Sequence, residues 1–118
     1  MTKKRFEDYL VSIGGLVNAY YPDKPFITHN LCECEDGWLQ LIHDLIEELL
    51  KEEWDKHIYH IKEKFGALRF YTGSLTESQH DLVEKYCNLS TETCEICGEK
   101  GTLDWDRNWV RTLCKEHK

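Results

Sequence analysis

Apolar residues recur along the chain in two rhythms, one near 3.6 and one near 2. Between residues 4 and 20, Phe6, Tyr9, Leu10, Ile13, Leu16, Val17 and Tyr20 fall three and four apart, the spacing of one face of an amphipathic helix. Gly14-Gly15 interrupts the run; each glycine costs about 1 kcal/mol against alanine inside a helix, so a bend or early end is expected there. Tyr21-Pro22-Asp23-Lys24-Pro25 is a breaker, followed by a loop through His29-Asn30. Asp36 then stands in a capping position before a second helix with apolar residues at Trp38, Leu41, Ile42, Leu45, Ile46, Leu49 and Leu50.

From His57 the rhythm shortens. His57–Glu63 and Ala67–Tyr71 are rich in β-branched and aromatic residues and flank Lys64-Phe65-Gly66, which predicts a hairpin ending at Thr72-Gly73. Leu75, Leu82, Val83, Tyr86 and Cys87 mark a third helix over 75–88, with Ser74 or Thr76 as its cap. A second hairpin is predicted from Thr102–Trp105, the polar turn Asp106-Arg107-Asn108, and Trp109–Leu113. The order predicts an α+β fold: residues 1–92 place helices on a β-hairpin, and residues 93–118 form a smaller hairpin packed against them. Trp38, Leu41, Leu45 and Leu49 are expected to face Leu68 and Phe70, because helix and sheet each have one apolar surface to bury.

Composition narrows the function classes. At 118 residues the chain makes one domain, and four Trp, six Tyr and four Phe supply its core. Fifteen Lys and Arg against 22 Asp and Glu give a net charge of −7, which opposes non-specific binding to phosphate backbones. No apolar run approaches the ~18 residues of a membrane span, and Met1–Arg5 leads into the mixed segment Phe6–Leu10, so the expectation is a soluble, cytoplasmic protein.

The cysteines carry the chemistry. Cys94-Glu95-Ile96-Cys97-Gly98 is matched by Cys114-Lys115-Glu116-His117, and sixteen residues separate the pairs. Two intervening residues let both members of a pair reach one ion from a tight turn, and three thiolates plus an imidazole complete a closed tetrahedron, as in structural zinc sites. The hairpin between the pairs would return Cys114 and His117 to the first turn. Gly98 suits a knuckle that needs positive φ. Cys32-Glu33-Cys34, with His29 nearby and Cys87 elsewhere, lacks two ligands at recognisable spacing and reads as ordinary thiols. His57 and His60 fall on opposite faces of a regular strand, with no Ser or Cys nucleophile and third partner, and read as strand histidines.

The series Glu33-Cys34-Glu35-Asp36-Gly37-Trp38, Lys62–Tyr71, Cys94-x-x-Cys97-Gly98 and Trp109-x-x-Thr112-Leu113-Cys114-x-x-His117 resembles a widespread family of small bacterial and phage proteins. Glu35 stands where members usually carry Gly. The resemblance covers residues 33–117 and supports the zinc site and the layout; it implies no activity and no substrate.

These features together point to a non-catalytic, zinc-stabilised protein-interaction module, of the kind that neutralises a toxin or counters a phage-defence protein. Asp44, Glu48 and Glu52, with Glu47, Glu53 and Asp55, would present an acidic face to a basic partner, and Trp105 and Trp109 would supply aromatic contacts. The alternative is a nucleic-acid-binding zinc protein using the ribbon Lys62, Lys64 and Arg69, interleaved with Tyr59, Phe65, Phe70 and Tyr71, together with Arg107, Arg111, Lys115 and Lys118. A hydrolase is disfavoured, because a saturated Cys3His ion has no position for an activated water.

Overall fold

The first helix stops where its glycines begin. In the computed structural model, which describes residues 1–24, 32–106 and 108–118, α1 spans Lys3–Ser12, capped by the Thr2 side chain. Gly14 and Gly15 take φ of +83° and +80°, and the chain re-emerges as β1, Val17–Asn18. The helix over 4–20 thus takes the early end expected at Gly14-Gly15, and Leu16 is buried in the core beyond it. The loop expected through His29-Asn30, and Arg107 of the basic set, lie outside the described residues.

Strand β2, Cys32–Glu33, leads to a 3-10 turn at Asp36–Trp38 and then α2, Leu39–Lys51. Asp36 does not cap this helix: it is the first residue of the 3-10 turn, entered from Glu35, whose extended backbone (φ −81°, ψ 167°) needs no glycine. Leu39, Ile42, Leu45, Ile46 and Leu49 are buried, whereas Leu41 and Leu50 sit at the margin of the core. At the far end the Glu53 amide bonds the Leu50 carbonyl and the Trp54 amide the Leu49 carbonyl, with Glu53 at φ +60°. That is a Schellman closure with glutamate in the place usually taken by glycine.

The hairpin is β3, His57–Lys64, against β4, Ala67–Thr72, in antiparallel register from Ile58↔Thr72 to Lys64↔Ala67. Phe65 and Gly66 form its two-residue turn, both at positive φ (+53° and +80°), as a type I′ turn requires. On the other edge of β3, β1 pairs parallel with His57-Ile58 and β2 parallel with Ile61-Lys62, so two short strands share one edge of β3. A register shift between Ile58 and His60 inserts one extra residue. This bulge puts Ile58 and Ile61 on the same buried face although they are three apart. It also turns His57 and His60 to the same outward side, correcting the expectation from strict alternation. They remain separate in chemistry, His57 beside Asp55 and His60 beside Glu33.

Helix α3, Glu77–Ser90, starts in a capping box formed by Thr76 and Gln79. Gln79 also donates to the Glu52 carbonyl, and the buried Ser90 hydroxyl accepts from the Leu68 amide (2.8 Å), fixing α3 to both α2 and β4. Phe6, Trp38, Leu45, Leu49, Ile58, Ile61, Leu68, Phe70 and Tyr86 belong to one core cluster, with Leu41 at its margin, so the α2 face, Leu68 and Phe70 share one core. Strands β5, Thr102–Asp104, and β6, Arg111–Leu113, pair antiparallel as the second, smaller sheet. The fold is α+β.

Two substitutions check this packing by denaturant unfolding. Leu45→Ala, at a fully buried site, is expected to cost about 2–5 kcal/mol; a loss below ~1 kcal/mol would place the helix face in solvent. Glu53→Gly relieves a left-handed backbone and is expected to add up to about 1 kcal/mol.

Candidate metal centre

Cys94, Cys97, Cys114 and His117 converge as their spacing predicts, with ligand atoms all within 4.8 Å of one another. Cys94 Sγ and Cys97 Sγ lie 3.7 Å from His117 Nδ1 and Cys114 Sγ respectively, and Cys114 Sγ lies 3.1 Å from His117 Nδ1. A tetrahedral ion with bonds near 2.0–2.3 Å has edges of about 3.3–3.8 Å, so this group can hold a metal ion through four protein ligands. The knuckle is shaped by the backbone: the Gly98 amide closes onto the Cys94 carbonyl (2.9 Å) with Gly98 at φ +83°. Burial raises the Cys94 thiol, but amides of Cys97, Cys114 and Ile96 aimed at its sulfur outweigh that and hold it at about 6. A thiolate ready at neutral pH is the form that binds a metal.

The knuckle is seated on the main body by contacts that no spacing announces. The Gly37 amide donates to the Glu95 carbonyl (2.7 Å), and the Trp38 indole donates to the Thr93 carbonyl (2.9 Å). A methyl group at Gly37 would stand 2.3 Å from the Cys94 carbonyl oxygen, so only glycine permits this approach. Glu95 is 4% exposed; its carboxylate accepts from the Glu35 amide (3.1 Å) and from Arg111 (3.2 Å). Burial pushes this carboxyl up, with the Glu35 amide and the Arg111 guanidinium opposing. On the opposite flank the buried Thr112 hydroxyl donates to the Gly66 carbonyl (2.7 Å), which ties β6 to the turn of the first hairpin.

The remaining candidates separate. Asp44 is bonded to Gln40 and His43, and Glu48 to Tyr86 and Lys85. The Tyr86 hydroxyl holds the Glu48 carboxyl below its ordinary value, with burial opposing and Lys85 assisting. Much of the acidic face is thus engaged within the chain, while Glu52 is exposed. Trp105 and Trp109 are 68% and 69% exposed. Arg111 of the basic set is committed to Glu95, whereas Lys115 and Lys118 are exposed. Cys32 and Cys34 lie 3.7 Å apart, and among the described residues no third ligand joins them. His80, Asp81 and Glu84 also gather on α3, fully on the surface. No helix among the described residues is long and apolar enough to cross a membrane. Compared with protein-family models, curated proteins and solved structures, the chain matches none.

Sequence reasoning missed Gly37, Thr93, Glu95 and Thr112 as the seat of the knuckle. A glutamate between two cysteines ordinarily reads as an exposed turn residue; its burial comes from residues about sixty positions away. Gly37→Ala is therefore expected to destabilise by about 3 kcal/mol or more, through overpacking against backbone. Thr112→Val should cost about 1–3 kcal/mol by leaving the Gly66 carbonyl unpaired. Thermal or denaturant melts read both, and a neutral Gly37→Ala would show that the knuckle does not sit on this turn.

Proposed function

We propose that the chain is a non-catalytic, zinc-stabilised module that binds another protein. Three thiolates and an imidazole favour zinc over harder divalent ions, and four protein ligands leave no open position for substrate or an activated water. The ion's role is then to hold a short ribbon-like hairpin whose buried core, among the described residues, is Cys94, Leu113 and Cys114. So small a cluster is insufficient to fold alone.

One observation carries the binding role. Phe65, Trp105 and Trp109 are each about two-thirds exposed (66%, 68% and 69%), and Phe65 and Trp109 flank one apolar groove of about 320 Å³ with Val110 and Asn108. Phe65 also occupies the first central position of a type I′ turn at φ +53°, where Asn, Asp or Gly is the unstrained choice. A large aromatic kept exposed in a strained position is costly to the free protein. Aromatic anchors of this kind dominate binding energy at protein interfaces. The net charge of −7 would speed encounter with a basic partner. The nucleic-acid alternative loses Arg111 to Glu95.

Two measurements test this reading. Metal analysis of the purified protein is expected to give one zinc per chain, lost in Cys97→Ser together with the fold of residues 93–118, since structural zinc is worth on the order of 10 kcal/mol in finger peptides. Phe65→Asn is expected to raise stability by about 1 kcal/mol while weakening capture of the partner by about tenfold or more. Salt-dependent binding to oligonucleotides with no protein partner would support the alternative instead.

A further inference from the structure

We infer that Cys32 and Cys34 form a reactive dithiol that exchanges with a small-molecule disulfide, closing to an intramolecular disulfide while the metal group stays intact. The two sulfurs are 3.7 Å apart, so bond formation needs them to approach by less than about 2 Å. Both side chains are mostly buried, 7% and 8% exposed, yet both line a cavity of about 580 Å³ shared with Lys3, Glu63, Trp109 and Arg111. That volume suits a ligand of a few dozen atoms and is too small for a folded protein. Two thiols without a third ligand among the described residues are poorly equipped for zinc and well placed for each other.

The two sulfurs share one S–H···S contact in which either can donate, so whichever thiol gives up its proton is held as a thiolate by the one that keeps it. The first is the attacking thiolate and the second the resolving thiol. The attacking thiolate displaces one thiolate from the small disulfide and becomes a mixed disulfide. The displaced thiolate takes up the proton of the resolving thiol, whose sulfur then attacks the protein sulfur of the mixed disulfide, forming the Cys32–Cys34 bond and releasing the second thiolate, which takes its proton from water. The protein dithiol gives up two electrons and the small disulfide accepts them. Glu33, Glu35, Glu63 and Glu95 share the cavity wall with Lys3 and Arg111, so it favours a small disulfide bearing ammonium groups, and cystamine is such a probe.

Zinc-loaded protein is incubated with cystamine, alkylated and mapped by mass spectrometry. The expected product is a Cys32–Cys34 disulfide with Cys94, Cys97, Cys114 and Cys87 still reduced. Cys34→Ser should accumulate cysteamine on Cys32, and Cys32→Ser on Cys34, with no internal disulfide in either. Absence of the Cys32–Cys34 disulfide in the unmodified chain, oxidation of Cys97 or Cys114 ahead of the pair, or a second metal ion lost in Cys32→Ser would each overturn the inference.

Discussion

The structure depends on one close approach, that of the backbone at Gly37 to the backbone at Cys94 and Glu95. The turn Asp36–Trp38 launches α2, whose buried face holds Leu39, Ile42, Leu45, Ile46 and Leu49, and the same turn receives the knuckle that carries two of the four candidate metal ligands. A side chain at Gly37 would occupy the space of the Cys94 carbonyl. Through this contact the order imposed by α2 is passed to a hairpin too small to fold alone. The buried Glu95 carboxylate completes the seat by accepting from Glu35 and Arg111, so the charge taken out of water is paired and hydrogen-bonded.

Seen from the seat, the scattered motifs become one surface. Asp36-Gly37-Trp38, the turn Phe65-Gly66, Cys97-Gly98 and Thr112 are far apart in sequence, yet they are the places where the first hairpin, the launch of α2 and the metal hairpin touch. The residues of these motifs are thus mainly residues of internal docking. What they leave outside is the aromatic edge formed by Phe65 and Trp109. Its position beside a rigid junction is what a binding surface needs, because anchors fixed before contact lose little entropy on binding.

Much of this was legible in the chain, for physical reasons that differ by element. The helix at 39–51 and the hairpin at 57–72 announce themselves because their apolar periods are long and uninterrupted. The metal group is legible because its ligands are locally paired and only their mutual approach is tertiary. Helix α1 ends at the glycines that the sequence marks as its weak point, and Leu16 and Val17, which continue its spacing, lie beyond it. Strands β1 and β2 are two residues each, below the length at which alternation carries information, and only their pairing to β3 creates them. The bulge at Tyr59 defeated the alternation argument for His57 and His60. The partners of Glu48 and Glu95 sit on other elements, so an acidic face and a turn residue in sequence became parts of the packing.

The central claim is that the metal hairpin and the Asp36–Trp38 turn form one mutually dependent junction. Amide hydrogen exchange on metal-loaded and chelated protein tests it directly. The account predicts that removing the metal releases the amides of Cys94, Glu95 and Gly98 and, with them, those of Gly37 and Glu35, while the amides of β3 and β4 stay protected. Chelation that frees residues 93–118 and leaves Gly37 and Glu35 as protected as before would contradict it.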